Sequence, residues 1–401
     1  MSVQATKTVL LGDVATIRRG ASPRPIDNPK WFTSPGNGRG WIRIADVTAS
    51  RVTLGKTEQY LSPLGEAKSV AVDPGDLIMS ICASVGVPRF VGIPACIHDG
   101  FVVFSDYETV LDKRFLYHYL SVFAPITGKK FGQHGSQTNL NTSLVGEMEI
   151  ISLPMQEQRR IADIIDNWDS AALLLEQSLE ATRKRLQGLM QQLLIGQKRI
   201  PGFTKSWQPF PLRAILTDCR RPVIKPSSSY VSLGVRSHCK GTFTKIVEDP
   251  GAVASETLWV VEGGDFVINI VFAWEGAVAI VPMEHSGAIV SHRFPVFRPK
   301  DDAIEIDYLR ALMTSPWFIH QIRLNSPGGA GRNKTLNIST FMDTEVLLPT
   351  KEEQIKIAHV LSTQGREIAM LEKLAAAYRT QKIGLMQQLL TGKRRVKIQA
   401  A

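Results

Sequence analysis

The chain has 401 residues, of which 44% are hydrophobic and 21% are charged, and its net charge is +10. This balance excludes an intrinsically disordered chain, and the length predicts two to four folded units because single domains cluster at roughly 100–200 residues. The charge favours nucleic acid over an anionic membrane surface, since the most apolar stretch, Phe266 to Met283, is interrupted by Asn269 and Glu275. We therefore expect a soluble cytoplasmic protein.

The first globular portion is predicted to mix strands and helices. Short β-branched or aromatic runs separated by Gly and Pro predict strands at Trp41–Val47, Asp76–Ile81 and Phe101–Phe104. An amphipathic helix is predicted at Arg114–Phe123. The dipeptide Leu153-Pro154 then indicates the end of this portion, because the residue before a proline favours extended backbone.

A long amphipathic helix follows. Apolar residues recur at alternating spacings of four and three, which is the pattern of a coiled-coil seam, and only Thr182 on this seam is not apolar. Gly196 predicts the end of the helix. The seam residues are Ile161, Ile165, Trp168, Ala172, Leu175, Leu179, Thr182, Leu186, Leu189 and Leu193.

The second half repeats this order of elements. Strands are predicted at Asp265–Phe272 and Ala277–Val281, and a helix at Tyr308–Leu324. Leu348-Pro349 precedes a second long helix, which ends near Gly392. Its seam is less regular and consists of Ile357, Leu361, Gln364, Ile368, Leu371, Ala375, Tyr378, Lys382, Leu385 and Leu389.

An internal repeat relates the two halves. The heptapeptide Gly-Leu-Met-Gln-Gln-Leu-Leu occurs at 188–194 and again at 384–390, an offset of 196 residues. Upstream, Leu140-Asn141 matches Leu336-Asn337 with a small shift, as insertions in loops would produce. The predicted fold class is therefore α+β with a two-fold internal repeat, in which two mixed domains are separated by an antiparallel coiled coil of two long helices. The predicted boundaries are 1–153 and 200–348 for the domains, and 154–199 and 349–397 for the helical spacers.

A two-fold repeat of this kind predicts the recognition of a split DNA site. Proteins with two-fold symmetry read half-sites whose spacing follows the separation of their reading domains. The two domains differ in sequence, so they would read different half-sites, and the helices would set an unread spacer between them. The expected target is bipartite and asymmetric.

The linker and helix-end motifs resemble those of the specificity subunits of Type I restriction-modification enzymes. Leu-Pro-Met-Gln-Glu-Gln at 153–158 and Leu-Pro-Thr-Lys-Glu-Glu-Gln at 348–354 each precede a long helix that ends in Met-Gln-Gln-Leu-Leu-x-Gly. The resemblance covers essentially the entire chain. The family usually has a second proline in the linker, where Met155 and Thr350 stand here.

This resemblance implies that the two domains are target-recognition domains and that the helices dock two methyltransferase (modification) subunits. Restriction/translocase subunits would join that core. It also implies that S-adenosylmethionine, ATP and magnesium are bound by the partner subunits, with no cofactor in this chain. The chain would be a non-catalytic subunit that binds double-stranded DNA.

Polar, glycine-punctuated loops just before each linker are the first candidates for DNA contact, because their side chains match the donors and acceptors of base edges and phosphates. Such residues also mark ordinary solvated turns, and that alternative stays open for each of them. The candidates are Lys129, Lys130, Gln133, Ser136, Gln137, Asn139, Arg332, Asn333 and Lys334, with Arg39, Arg43, Arg236 and Lys240 from earlier loops.

Cations also cluster at the two helix ends. They are Lys198, Arg199, Lys393, Arg394 and Arg395. Two explanations stay open for them, namely contact with phosphate and interaction with the negative end of the helix dipole.

No catalytic, cofactor-binding or metal-binding residue is predicted. The chain contains no Pro-Pro dipeptide, which the adenine-N6 methyltransferase motif requires, and its four cysteines are scattered, as expected for reduced, mostly buried thiols. Two other hypotheses remain. One is a split-site DNA-binding transcriptional regulator, which would not associate with a methyltransferase. The other is an unrecognised enzyme acting on DNA.

Overall fold

The computed structural model describes residues 7–131, 139–328 and 334–397. The chain forms two compact units, Met1–Leu175 with Ala375–Ala401 (unit 1) and Glu176–Leu374 (unit 2). Both unit boundaries fall within the long helices. Each unit therefore joins one predicted domain to parts of both predicted helical spacers.

The first half of the chain contains twelve described strands and six described α-helices. The strands are β1 (Thr8–Leu10), β2 (Thr16–Arg19), β3 (Phe32–Thr33), β4 (Arg39–Ile42), β5 (Thr53–Leu54), β6 (Gln59–Leu61), β7 (Val70–Val72), β8 (Leu77–Ser80), β9 (Pro88–Val91), β10 (Ala95–Ile97), β11 (Phe101–Ser105) and β12 (Glu149–Ile151). The helices are α1 (Leu11–Val14), α2 (Ile44–Ala49), α3 (Pro63–Glu66), α4 (Lys113–Phe131), α5 (Thr142–Gly146) and α6 (Met155–Leu193).

The second half follows the same plan. Its described strands are β13 (Gln208–Pro211), β14 (Leu216–Asp218), β15 (Arg221–Val223), β16 (Tyr230–Val235), β17 (Thr242–Val247), β18 (Leu258–Val260), β19 (Phe266–Ile268), β20 (Val278–Ile280), β21 (Ile289–Ser291), β22 (Val296–Pro299) and β23 (Glu345–Leu348). Its helices are α7 (Leu212–Ile215), α8 (Ile306–Met313), α9 (Pro316–Leu324), α10 (Ile338–Met342) and α11 (Lys351–Leu389).

Unit 1 is built on two five-stranded sheets. Their strand orders are β3-β6-β4-β10-β7 and β2-β11-β8-β9-β5, while β1 pairs with β12. The main core lies between the second sheet and α4, where Phe115 and Leu116 are fully buried. Ile161 of α6 and Leu389 of α11 belong to the same core, so both long helices help to close this unit.

Unit 2 repeats this topology with changes at the sheet edges. The order β14-β22-β19-β20 corresponds to β2-β11-β8-β9, and β13 pairs with β23. In the remaining sheet, β16 pairs in parallel with β21, as β4 does with β10 in unit 1. Tyr308 and Leu309 take the places of Phe115 and Leu116, and pack with Leu193 of α6.

A turn before each central strand shows how closely the repeat is kept. Gly75 and Gly264 both have positive φ, at 100° and 88°, a region that glycine adopts without strain. The aspartate that follows each glycine accepts a backbone N–H three residues earlier, at 2.8 Å in both units. Gly75-Asp76 and Gly264-Asp265 thus form the same turn at equivalent positions of the two units.

The glutamine at the start of each long helix fastens that helix to its domain. Gln158 is 1% exposed, and its amide bonds the backbone of Val110, Asp112 and Leu153 at 2.8–2.9 Å. Gln354, also 1% exposed, makes the equivalent three bonds at 2.8–3.1 Å. A buried amide with three partners stabilises the linker because each backbone group would otherwise lose its hydrogen bond with water.

The long helices pair in antiparallel fashion within each unit. In unit 1, the rings of Trp168 and Tyr378 lie 4.9 Å apart, and Lys382 forms an ion pair with Asp169. In unit 2, Arg183 of α6 pairs with Glu372 of α11. None of the residues on either predicted seam is exposed.

Two predicted strands are shorter in the structure. The strand predicted at Trp41–Val47 ends at Ile42 and gives way to α2, because the Asp46 carboxylate accepts the Arg43 N–H at 2.8 Å and caps a helical turn. The strand predicted at Asp265–Phe272 ends at Ile268.

The helix predicted at Tyr308–Leu324 is two helices, α8 and α9. The break falls at Ser315-Pro316, where the Ser315 hydroxyl accepts the Phe318 N–H at 3.2 Å and starts a new helix. In the first half, α4 is continuous and longer than the predicted Arg114–Phe123.

Candidate nucleic-acid interface

The same backbone hydrogen bonds bring equivalent loops together in each unit. In unit 1 the 81–87 loop, which follows β8, bonds the 98–100 loop through the Ile81 N–H and the Gly100 carbonyl at 2.8 Å. The Leu140 N–H, at the end of the pre-linker segment, donates to the Ile81 carbonyl at 2.8 Å. Asn139, which directly precedes Leu140, is therefore held beside the 81–87 loop.

Unit 2 makes the equivalent bonds. The Ile270 N–H donates to the Arg293 carbonyl at 3.1 Å, and the Leu336 N–H donates to the Ile270 carbonyl at 2.9 Å. The 270–276 loop thus corresponds to the 81–87 loop. Sequence reasoning missed both loops, although they follow matched strands in the repeat.

The unit 1 loop packs closely on α4. A Cβ on Gly86 would lie 2.6 Å from the Pro125 nitrogen, so only glycine fits there. A Cβ on Gly128 would lie 2.8 Å from the Val85 side chain. The candidates Lys129 and Lys130 follow at the end of α4 and are exposed, as is Asn139.

In unit 2 the structure brings three predicted residues to one loop. The segment that carries Arg236 and Lys240 bonds the 270–276 loop through the His238 and Cys239 N–H groups, each at 2.8 Å. The Lys334 ammonium lies 5.3 Å from the centre of the Trp274 ring, within cation–π range. The segment with the exposed Arg236 and Lys240, and the Lys334 ammonium, therefore both contact the 270–276 loop.

The two arginine candidates of unit 1 have different surroundings. Arg39 donates to Asp73 at 2.8 Å and pairs with Glu66 at 3.0 Å, and the hydrogen bond to Asp73 raises the pKa of the guanidinium. Its charge is compensated within the unit. Arg43 is exposed and donates to the neutral amide oxygen of Gln59 at 3.2 Å.

Five candidates lie outside the described residues. They are Gln133, Ser136, Gln137, Arg332 and Asn333. Their contact with DNA stays a prediction, as does that of the placed candidates.

Two of the helix-end cations form ion pairs with buried carboxylates. Arg199 Nε and Nη2 donate to the two carboxylate oxygens of Glu353 at 2.7 Å, and Arg395 makes the same pair with Glu157 at 2.8 and 2.6 Å. Hydrogen bonds from Arg395 lower the pKa of the Glu157 carboxyl. Both carboxylates are almost fully buried. Each arginine therefore supplies the positive charge that compensates a buried carboxylate of its own unit.

The thiols in both units are poor nucleophiles. Burial raises the pKa of Cys96, Cys219 and Cys239 to about 11. The four cysteines are unpaired; Cys96 is buried and the others are half-buried. Within residues 7–131, 139–328 and 334–397, no three His, Cys, Asp or Glu side chains lie where they could share a metal ion.

Two repeated α+β units with equivalent loops and paired long helices define a modular two-domain protein. The sequence model of one family, described as the Type I restriction modification DNA specificity domain, matches residues 5–182 and 251–377. Because this match covers more than half of the chain, the protein belongs to that family. None of the helices that the structure describes has the length and apolarity that crossing a bilayer requires.

Solved structures share the fold at low sequence identity. The HsdS subunit from Thermoanaerobacter tengcongensis is 16% identical, with a TM-score of 0.53 over 97% of this chain and 97% of that chain. The Type I S subunit from M. genitalium is 12% identical, with a TM-score of 0.55 over 97% and 98%. A chain from a study of type I R-M complex assembly and conformational transition is 14% identical, with a TM-score of 0.60 over 97% and 99%.

Proposed function

We propose that this chain is the non-catalytic specificity subunit of a Type I restriction-modification complex, in which each unit reads one half of a bipartite, asymmetric DNA site. One observation carries the proposal: equivalent loops are fixed by the same backbone bonds but present different side chains. The 81–87 loop is Ile-Cys-Ala-Ser-Val-Gly-Val, whereas the 270–276 loop is Ile-Val-Phe-Ala-Trp-Glu-Gly. A shared scaffold with different loops suits two reading domains of different specificity.

The paired helices would set the unread spacer and dock two modification subunits, which restriction subunits join. Exposed apolar side chains support this docking role, because Leu174 of α6 is 65% exposed and Met370 of α11 is 73% exposed. These two residues are related by the repeat offset of 196 residues. S-adenosylmethionine, ATP and magnesium would bind the partner subunits, and the complex would act in the cytoplasm.

The test is adenine methylation in a host that has no other adenine methyltransferase. The full chain is expressed with the modification subunit of the same genome, and methylated positions are mapped by single-molecule sequencing. We expect methylation at one bipartite, asymmetric motif, and none when this chain is omitted.

Two outcomes would contradict the proposal. Methylation by the modification subunit alone would remove the need for this chain. Tight binding of a split site by a chain that never associates with a methyltransferase would favour the transcriptional regulator instead.

A further inference from the structure

Arg43 differs from Arg24 and Arg39 in having a neutral partner. Arg24 pairs with Asp99 at 3.0 Å, and Arg39 pairs with both Asp73 and Glu66. Within the described part of the chain, Arg43 forms no ion pair, and its guanidinium donates to the Gln59 amide oxygen. Its positive charge is therefore available to a ligand, while its position is fixed by a hydrogen bond.

Strand pairing and a buried carboxylate support the backbone beneath this pair. Gln59 in β6 lies opposite Trp41 in β4, and Trp41 is only 3% exposed. The two carboxylate oxygens of Asp46 accept the N–H groups of Arg43 at 2.8 Å and of Glu58 at 3.3 Å. Asp46 is only 8% exposed. Its two hydrogen bonds join the chain segment that carries Arg43 to the segment that carries Gln59. Such support preorganises a binding group, so less entropy is lost when a ligand binds.

Both side chains line one open cavity of about 570 Å³, with Ile26, Pro29 and Phe32 among its walls. Asp27 lines it as well. An acidic group disfavours a phosphate at this place, whereas a base pair can present acceptors and a donor together.

Most of the free hydrogen-bonding groups of the pair are donors. Because Arg43 already uses one lone pair of the Gln59 oxygen, the Gln59 NH₂ group and the remaining guanidinium N–H groups outnumber the acceptor that is left. Guanine presents two acceptors, N7 and O6, in the major groove, while adenine, thymine and cytosine each present a donor or a methyl group there. The amino group of the paired cytosine is a donor that suits Asp27.

We propose that Arg43 and Gln59 read the major-groove edge of a guanine in the half-site of unit 1, with Asp46 as the residue that positions them. This inference rests on the proposed function and adds a base and the groups that read it. Binding of one G·C pair would then depend on N7 and O6 of the guanine.

The test measures binding of the full chain, in complex with its modification subunit, to its methylated motif. In separate duplexes, each guanine is replaced by 7-deazaguanine, which lacks N7, or by hypoxanthine, which keeps N7 and O6 but lacks the 2-amino group. We expect one position at which 7-deazaguanine weakens binding by about 10- to 100-fold, while hypoxanthine does not. In Arg43→Ala, that position should no longer distinguish guanine from 7-deazaguanine.

Two further variants separate reading from folding. Arg43→Lys keeps the charge but loses the paired donors, so it should bind with little discrimination at that position. Arg24→Ala removes a cation from a neighbouring surface whose charge is already compensated, and it should keep full discrimination.

The inference is overturned if no guanine is sensitive to loss of N7, or if the sensitive guanine stays sensitive in both Arg43 variants. In either case, a wild-type complex that still binds its bipartite motif leaves the proposed function intact. If the wild-type complex binds no bipartite motif, the proposed function fails and the inference fails with it.

Discussion

Arg395 and Glu157, 238 residues apart in sequence, form a two-pronged ion pair in which the guanidinium Nε and Nη2 donate to separate carboxylate oxygens at 2.8 and 2.6 Å. The Val396 N–H adds a third bond to the same carboxylate at 3.1 Å. The pair joins the segment after α11 to the first turn of α6. Unit 1 thus contains both ends of the described chain.

Loss of this pair should loosen unit 1 selectively. Arg395→Ala would leave the Glu157 carboxylate buried without its cation, at a cost of about 1–2 kcal/mol, since the half-exposed Arg395 is partly screened by solvent. Hydrogen exchange, followed by mass spectrometry, should become faster in unit 1 and stay unchanged in unit 2.

Lys393→Ala is the matched control, because Lys393 is an exposed cation two residues away. Equal effects of the two substitutions would show that the positive charge of the segment after α11, and not the ion pair with Glu157, holds that segment against unit 1.

A buried histidine predicts a pH dependence of unit 1. His118 of α4 is 2% exposed and bonds Asp166 of α6 at 2.8 Å, with Asp169 and Lys382 nearby. Burial lowers the pKa of His118 below its ordinary value of 6.5, against the opposing effect of Asp166. The unfolded chain therefore takes up a proton at a higher pH than the folded chain does. This contribution to stability is complete above pH 6.5 and is lost as the pH falls below it.

The midpoint of thermal unfolding, measured between about pH 5 and 7.5, should fall toward acid. His118→Gln should flatten that slope without abolishing it, because burial also lowers the pKa of His98. His359→Gln, at an exposed position of α11, should leave the slope unchanged. A slope that is the same in all three proteins would rule out His118 as its source.

Periodicity and repetition predicted most of this architecture. The two seams depend on local spacing, which the sequence shows directly. The offset of 196 residues then predicts that the second half repeats the order of elements of the first. The same offset relates Glu157 to Glu353 and Arg199 to Arg395, so the two ion pairs are equivalent under the repeat. The local sequence around the helix-end arginines indicates only phosphate or the helix dipole as their partner.

The loops could not be predicted in the same way. The contact of Arg43 with Gln59 depends on the register of β4 against β6, which no local pattern reveals. The approach of Lys334 to Trp274 similarly depends on packing between segments about 60 residues apart. Long-range pairing, and not composition, decides which polar residues share a surface.

The exposed apolar residues of the helices predict where partners bind. Leu174→Glu and Met370→Glu should each weaken the association with one modification subunit, because a charge would enter an apolar contact. The double variant should lose both subunits. Gel filtration with light scattering would report complexes with two, one or no modification subunits.

Gln177→Glu places the same charge one helical turn from Leu174 without removing apolar surface, and should retain both subunits. Full assembly of the double variant would exclude this part of the helices as the docking surface.

Lys334 predicts a different effect on DNA binding from that of Arg43. An ammonium held over the Trp274 ring has no planar pair of donors for a base edge, so phosphate is its expected ligand. Lys334→Ala should weaken binding to cognate and unrelated duplexes alike, and the slope of log affinity against log salt should fall by about 0.9. Lys356→Ala removes an exposed cation from α11 and should change neither quantity. A change of the methylated motif in Lys334→Ala would instead show that Lys334 reads a base.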